Sequence, residues 1–381
     1  MRYVDEFRNP QAAQWLLSKI TKISEEIDRT GDNPISIMEI CGGHTHSIFR
    51  YGLDQLMPTS VEFIHGPGCP VCILPKNRID ECIKLAEHPK VIFTTFGDVM
   101  RVPGTLKSLD QAKAEGADIR MVYSPLDALV IARSNPDKEV VFLGLGFETT
   151  TPSTALSIQI ASREALGNFS VFCNHITLPS SIKALLDDPF ITLDGFIGPG
   201  HVSMVIGTHP YDFIAKEYGK PIVVAGFEPL DLLQSLLMVL EQIRDRRTEV
   251  ENQYTRVVPE HGNPLSLAAI NEVYELRPKF QRSRPNEIEI NRLSIRKNYR
   301  AYDAEEKFVI NSDVDRHSVT AEPDGCACKL VIMGRAKPTE CPKFGLSCTP
   351  EIPLNALMVS SEGVCAAYWK YSRMREIKVS I

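Results

Sequence analysis

The chain has 381 residues and ten cysteines, and the cysteines are unevenly spread. Cys41, Cys69, Cys72 and Cys82 lie in the first quarter, Cys173 stands alone, and Cys326, Cys328, Cys341, Cys348 and Cys365 crowd the C-terminal end. In a reducing compartment such a set is a poor disulfide framework, which leaves metal binding and redox chemistry. Cys41 opens the run Cys41-Gly42-Gly43-His44-Thr45-His46. The stretch before it, 35–40, is short, apolar and isoleucine-rich, so it reads as a buried strand, and 44–55 reads as a helix. A cysteine between a strand end and a helix N-terminus, beside histidines, tends toward the thiolate, which attacks electrophiles and binds soft metals. The two glycines let the backbone turn tightly or approach a ligand closely. A lone Cys-Gly-Gly also describes a buried structural cysteine before a turn.

A second motif, Gly66-Pro67-Gly68-Cys69-Pro70-Val71-Cys72, has thioredoxin-like spacing after a strand. Two intervening residues allow a reversible disulfide, and the same pair is also half of a zinc site. With no second Cys-x-x-Cys in the chain, redox is the stronger of the two. The C-terminal Cys328, Cys341, Cys348 and Cys365 are separated by twelve, six and sixteen residues. A four-thiolate site suits them, and zinc and an iron–sulfur cluster both fit. Pro342 after Cys341 resembles the Cys-Pro habit of cluster ligands, and Cys326 is a substitute ligand candidate.

The remaining candidates carry softer signals. His44, His46, His65, His175 and His201 fall near strand or turn ends, where a histidine also serves as an ordinary hydrogen-bonding residue. Asp98 and Glu148 follow strands, and Glu148 also fits an N-terminal charge on the next helix. Glu362 either orients Cys365 or faces solvent.

These residues need elements to position them. A hydrophobic share of 43% and a charged share of 24% are those of a soluble globular protein. A net charge of -6 with no basic run argues against nucleic acid. Without a signal-peptide h-region or an apolar span of membrane length, a cytoplasmic protein is expected, with no membrane partner. Residues 10–29 read as an amphipathic helix bearing Trp15, Leu16, Ile20, Ile23 and Ile27. From 34 to 250, strands near 35–40, 61–65, 90–95, 119–123, 139–145, 170–174, 193–197 and 221–225 alternate with helical patterns. This predicts βαβ units and parallel sheets.

A weak repeat relates 63–69 to 196–201 and 91–98 to 141–148. The fold class expected is therefore α/β: two similar parallel-sheet domains around a cleft, plus a C-terminal cysteine-rich domain. The divisions expected are a helix over 1–33 packing on the C-terminal domain, domains over 34–137 and 138–252, and a linker with the cysteine-rich domain over 253–381. Short strands are expected near 287–294 and 307–310. Ligands of open α/β sheets sit at strand carboxyl ends, which puts Cys41, Cys69, Asp98 and Glu148 on the cleft. No phosphate-binding glycine motif is complete, so no nucleotide site is expected.

Taken together, Cys41-Gly-Gly-His-Thr-His46, Gly66-Pro-Gly-Cys-Pro-Val-Cys72, Gly146-Phe-Glu-Thr-Thr150 and the spaced cysteines ending in Met358-Val-Ser-Ser-Glu-Gly-Val-Cys365 resemble the HypD family of hydrogenase maturation factors. The resemblance covers nearly the whole chain, with segment 276–296 departing most. It implies a scaffold for the Fe(CN)2CO unit of [NiFe] hydrogenase. It also implies a HypC-type chaperone, a HypE-type donor presenting cyanide as a thiocyanate, and a [4Fe–4S] cluster on Cys328, Cys341, Cys348 and Cys365. Cys41 would hold the transient iron, Cys69 and Cys72 would act as a dithiol–disulfide couple, and His44 would move protons or tune the Cys41 thiolate. Two other classes stay open: a stand-alone iron–sulfur thiol–disulfide oxidoreductase, and a structural zinc protein.

Overall fold

Nine short strands, rich in valine and isoleucine, form two separate sheets with only parallel pairing. They are β1 Ile35–Glu39, β2 Val61–His65, β3 Val91–Thr95, β4 Ile119–Met121, β5 Glu139–Gly146, β6 Phe169–His175, β7 Gly195–Pro199, β8 Ile222–Ala225 and β9 Val250–Asn252. Near-continuous apolar runs suit strands covered by helices on both faces. The computed structural model describes residues 5–27, 29, 33–277, 292–309 and 325–379, with side chains described up to Tyr371 at the C-terminal end. One sheet runs β2-β1-β7-β8-β9 and the other β4-β3-β5-β6. No helix among the described residues is long and apolar enough to cross a membrane.

The sheets do not follow the expected cut at 137/138. β3 and β4 pair with β5 and β6, while β1 and β2 pair with β7, β8 and β9. The first sheet is thus built from two stretches of chain with the second sheet inserted between them. The internal repeat explains the error, because its copies lie inside single sheets: β2 and β7 both flank β1, and β3 and β5 are neighbours.

Five helices matter for the site: α1 Pro10–Glu26, α2 Gly42–Tyr51, α3 Lys76–Ala86, α4 Gly200–Ile206 and α5 Pro229–Arg244. Asn9 caps α1 by accepting from Ala12 N at 3.0 Å, and Pro10 suits its first turn. α1 does not pack on the C-terminal domain. Its Leu16, Ile20 and Ile23 are buried against Leu232, Leu233, Leu236 and Leu240 of α5. Trp15, expected on the packed face, is 58% exposed. Residues 202–218 have a helical pattern in sequence but form two helices, because Gly207 adopts a φ of 76° and ends α4 before Asp212–Tyr218 begins.

The cysteine-rich segment is not a separate globule either. Cys328, Val331, Cys348, Met358 and Cys365 share one apolar core with Cys69, Cys72 and residues of α3, β3 and β5. A final helix, Val364–Val379, packs on α2, where Phe49 and Tyr368 rings meet at 4.4 Å. Arg78 of α3 ties the linker in: buried over the Phe172 ring at 4.1 Å, it donates to Glu81 and Asn174 at 2.6 Å and pairs with Glu305. A buried guanidinium is tolerable only with such a full set of acceptors. Of the strands expected in the linker, Leu293–Ile295 pairs with Tyr274–Leu276, and most of 287–294 lies outside the described residues; 307–309 form no strand, because Lys307 ends the helix Ala304–Lys307 and Phe308 caps it, and residue 310 lies outside the described residues.

The α1–α5 seam gives a contrast between neighbouring residues. Ile20→Ala should lower the unfolding free energy in urea by about 2–5 kcal/mol. Trp15→Ala should change it by less than about 0.5 kcal/mol. Equal losses would mean α1 is packed through a different face.

Candidate functional site

Cys41 sits between β1 and α2 with extended backbone, φ -151° and ψ 120°, and is 1% exposed. Its position is set by Glu39, the last residue of β1 and fully buried. One Glu39 oxygen accepts from Cys41 N at 2.9 Å, and the other accepts from Thr45 Oγ1 and lies 2.7 Å from His65 Nδ1. A buried carboxylate without such donors would cost several kcal/mol, at roughly 1–3 per lost bond. Three elements are therefore fixed together: the end of β1, the first turn of α2 and the end of β2.

The loop after β2 packs directly on this cysteine. Gly42 N donates to Gly68 O at 3.2 Å, and a Cβ at Gly68 would fall 2.4 Å from Cys41 N. A Cβ at Gly42 would fall 2.3 Å from Cβ of Glu362, so the loop before the final helix closes a third side. The fourth is aromatic. His201, in the first turn of α4, brings Nδ1 to 3.5 Å from Cys41 Sγ. The Phe227 ring lies 5.0 Å from the His44 ring and 5.3 Å from that of His201.

The electrostatics differ from the thiolate expected for Cys41. Burial, then the charges of Glu39 and Glu362, push its thiol well up, and the α2 N–H groups do not compensate. Burial also holds both imidazoles neutral: His201 titrates down at about 4, with His44 adding to the fall, and His44 itself is lowered. The ring nitrogens of His44 make no well-formed hydrogen bond, and the carbonyls of Ala225 and Gly226 are close to them. Burial raises Glu362 and Asp98, and the two repel each other. A thiol, two neutral imidazoles and crowded carboxyls make a pocket suited to a cation, whose charge would bring the thiol and carboxyls back down and keep the imidazoles neutral.

Cys69 and Cys72 are joined as a disulfide and are 4% and 8% exposed. Cys69 Sγ lies 3.4 Å from Ser360 Oγ, which accepts from Glu362 N at 3.2 Å. Ser360 thus links the sulfur pair to the loop that walls Cys41. Beyond it, Cys328, Cys341, Cys348 and Cys365 are all buried and converge. Cys328 Sγ lies 2.9 Å from Cys326 Sγ and is hydrogen-bonded to Cys365. Ala327 N donates to Cys341 Sγ at 3.4 Å and Leu354 N to Cys348 Sγ at 3.5 Å, backbone bonds that orient the two sulfurs.

Not every expected residue joins the pocket. His46 bonds Tyr371 at 2.7 Å in the seam between α2 and the final helix. His175 is buried under Thr154 and Thr151. Glu148 takes Leu178 N at 3.1 and 3.2 Å, so it sits at the start of helix Leu178–Leu186 and not on the helix that follows it in sequence. Glu39, Ser360 and Phe227 went unnoticed in the sequence. A signal existed for Phe227, which follows the strand ending at Ala225 just as Cys41 follows β1.

A family model described as HypD, Hydrogenase formation hypA family, matches residues 12–372. The chain belongs to the HypD family. Over 98% of this HypD chain and 99% of the relative, it is 66% identical to the hydrogenase maturation factor HypD of Rhodobacter capsulatus. It is 50% identical to the hydrogenase maturation factor HypD of Escherichia coli K12 over 97% and 98% of the two chains. At 46% identity it also matches the hydrogenase expression/formation protein HupD of Azotobacter chroococcum along the full length of both. Hydrogenase maturation is thus the process to which this HypD chain is tied.

Glu148 gives a pH test of the buried framework. Burial lifts its carboxyl from 4.5 to about 7. The folded chain therefore holds its proton to higher pH than the unfolded chain, and stability is lost as pH rises from 4.5 to about 7. The stability gained in Glu148→Gln over the parent should be flat below that window, grow through it, and level off above it at no more than about 3 kcal/mol. A gain independent of pH would mean the Glu148 carboxyl titrates alike in the folded and unfolded chain.

Proposed function

We propose that this HypD chain is the scaffold on which the Fe(CN)2CO unit of [NiFe] hydrogenase is assembled. In this reading Cys41 holds the iron together with a cysteine of a HypC-type chaperone, and a HypE-type donor delivers cyanide as a thiocyanate. The observation that supports it most is the contact of the Cys41 loop with the Cys69–Cys72 loop at Gly68, in a pocket lined by carboxyls. Thiolate and imidazole suit a soft low-spin iron, and the glycines leave room for its small ligands.

The sulfur chemistry balances within the chain. Releasing cyanide from a thiocyanate takes two electrons. As a dithiol, Cys69 and Cys72 supply them: one thiolate attacks the thiocyanate sulfur and displaces cyanide, and the second closes the disulfide and frees the donor's thiol. Neutral His44, beside Cys41, can relay outward the proton that its thiol loses when iron binds. The C-terminal sulfurs fit a resident cluster: Cys326 and Cys328 lie 2.9 Å apart, and Cys341 and Cys348 each receive a backbone N–H. A [4Fe–4S] cluster held there would supply the single electrons that return the disulfide to the dithiol.

Two measurements test the two halves of this reading. Infrared spectra of the chain purified anaerobically with a HypC-type partner should show metal-bound CO and cyanide bands, and Cys41→Ala should lose them. Bands that survive would remove Cys41 as the iron ligand. Cys328→Ala should bleach the visible absorbance of the cluster and loosen the segment around it, because the metal organises that segment. Full absorbance in that variant would hand the position to Cys326, and colourless, zinc-loaded parent protein would end the cluster assignment.

A further inference from the structure

Away from the cysteines, two loops bring a second group of metal-ligating side chains together. Among the described residues, His209, Glu260 and His261 form the one trio of histidine, cysteine or carboxylate residues whose ligand atoms all lie within 4.8 Å of one another. From this we infer a surface site for a divalent transition-metal ion, held by two imidazoles and one carboxylate. It is independent of the assembly reading above.

The backbone holds the trio in place. The loop after α4 and the loop over 259–263 are joined by Thr208 N to Glu260 O at 3.0 Å and Asn263 N to Val205 O at 2.9 Å. Their crossing depends on two left-handed glycines, Gly207 with φ 76° and Gly262 with φ 70°. A Cβ on Gly207 would fall 2.2 Å from Glu260 O, and one on Gly262 would fall 2.3 Å from Val205 O. This clamp sets the His209 and His261 rings side by side, centroids 5.1 Å apart and 22° from parallel.

The polarity of His209 suits a ligand. Its Nε2 faces Glu260 Oε1 at 3.4 Å, while Asp212 lies on the Nδ1 side at 4.0 Å. A carboxylate behind a histidine favours the proton on that nitrogen and leaves the other as the metal donor. Asp212 is itself held by Lys216 Nζ at 2.7 Å. Two neutral imidazoles and a carboxylate suit zinc, iron(II), cobalt or nickel, and are a poor set for calcium or magnesium. All three ligands are exposed, so the ion would keep open positions for water. The loop begins where α4 ends, and α4 is seven residues long with His201 in its first turn. An ion here would brace that helix from about 10 Å behind the Cys41 pocket.

The test uses the cluster-loaded full chain under anaerobic conditions, with Zn2+ as the probe. Calorimetric titration should find one saturable site, and one equivalent should raise the melting temperature. Zinc-edge X-ray absorption at that loading should show nitrogen and oxygen ligands with imidazole scattering and no sulfur. Cys41→Ala should behave like the parent. His209→Ala and His261→Ala should each lose the site, and Glu260→Gln should weaken it about tenfold or more. The three residues are exposed, and unchanged far-ultraviolet circular dichroism in the variants shows that the fold is intact. A sulfur shell at one equivalent, no saturable binding by the parent, or equal affinity in both histidine variants would each overturn the inference.

Discussion

One buried carboxylate, Glu39, holds the arrangement together. It ends β1 and receives the N–H of Cys41, the hydroxyl of Thr45 and the Nδ1 side of His65. Each donor comes from a different part of the site: the strand-to-helix turn, the first turn of α2, and β2. An anion in an apolar core is tolerated only when its lone pairs are met, so removing any donor leaves the rest unfavourably placed. Gly68 can then press its backbone on Cys41 because β1 and β2 are in register, Glu39 opposite His65. The cysteine is positioned by the sheet and not by its own loop, which is what a group meant to hold a ligand without moving requires.

That framework carries an electrostatic consequence. Glu39 and Glu362 disfavour a bare thiolate at Cys41, and Asp98 and Glu362 disfavour each other. Without a cation the pocket keeps its protons. A bound cation would release them and turn mutual repulsion into attraction. The same groups that keep the site neutral would thus make it selective for positive charge, with the two low-pKa imidazoles unprotonated and so open to a cation.

Much of this was legible before any geometry. The period of apolar runs located the strands to within a few residues, since strands buried on both faces have little other way to be written. Spacing brought out Cys41, the Cys69–Cys72 pair and the C-terminal sulfurs. What could not be read was pairing. Nothing local to β3 says that its neighbour is β5 and not β2, so an inserted sheet looked like a tandem repeat. For the same reason α1 was assigned to the wrong partner: an amphipathic face states that it is buried, not against what. The charge state of Cys41 failed differently. Helix N-terminus and neighbouring histidines argue for a thiolate, and the burial of the thiol, then the charge of Glu39 beside it, reverses the sign.

The inserted topology bears on function because it sets which parts of the chain wall the pocket. β1, β2 and β7 each contribute a loop or helix start from the first sheet: Cys41, Gly68 and His201. Glu362 and Ser360 come from the cysteine-rich end, far along the chain, and reach Gly42 and Cys69 across the apolar core that also buries Cys328, Cys348 and Cys365. That core is continuous from the C-terminal sulfurs to the disulfide, and Ser360 continues the contact to the wall of Cys41. Any change of charge or bonding at the sulfur set is therefore felt through packed, water-poor material, where electrostatic effects fall off slowly. A separate globule on a linker would have put solvent between those groups. The shared core is the physical reason that one chain can keep a thiol pair and the buried Cys41 under a common influence.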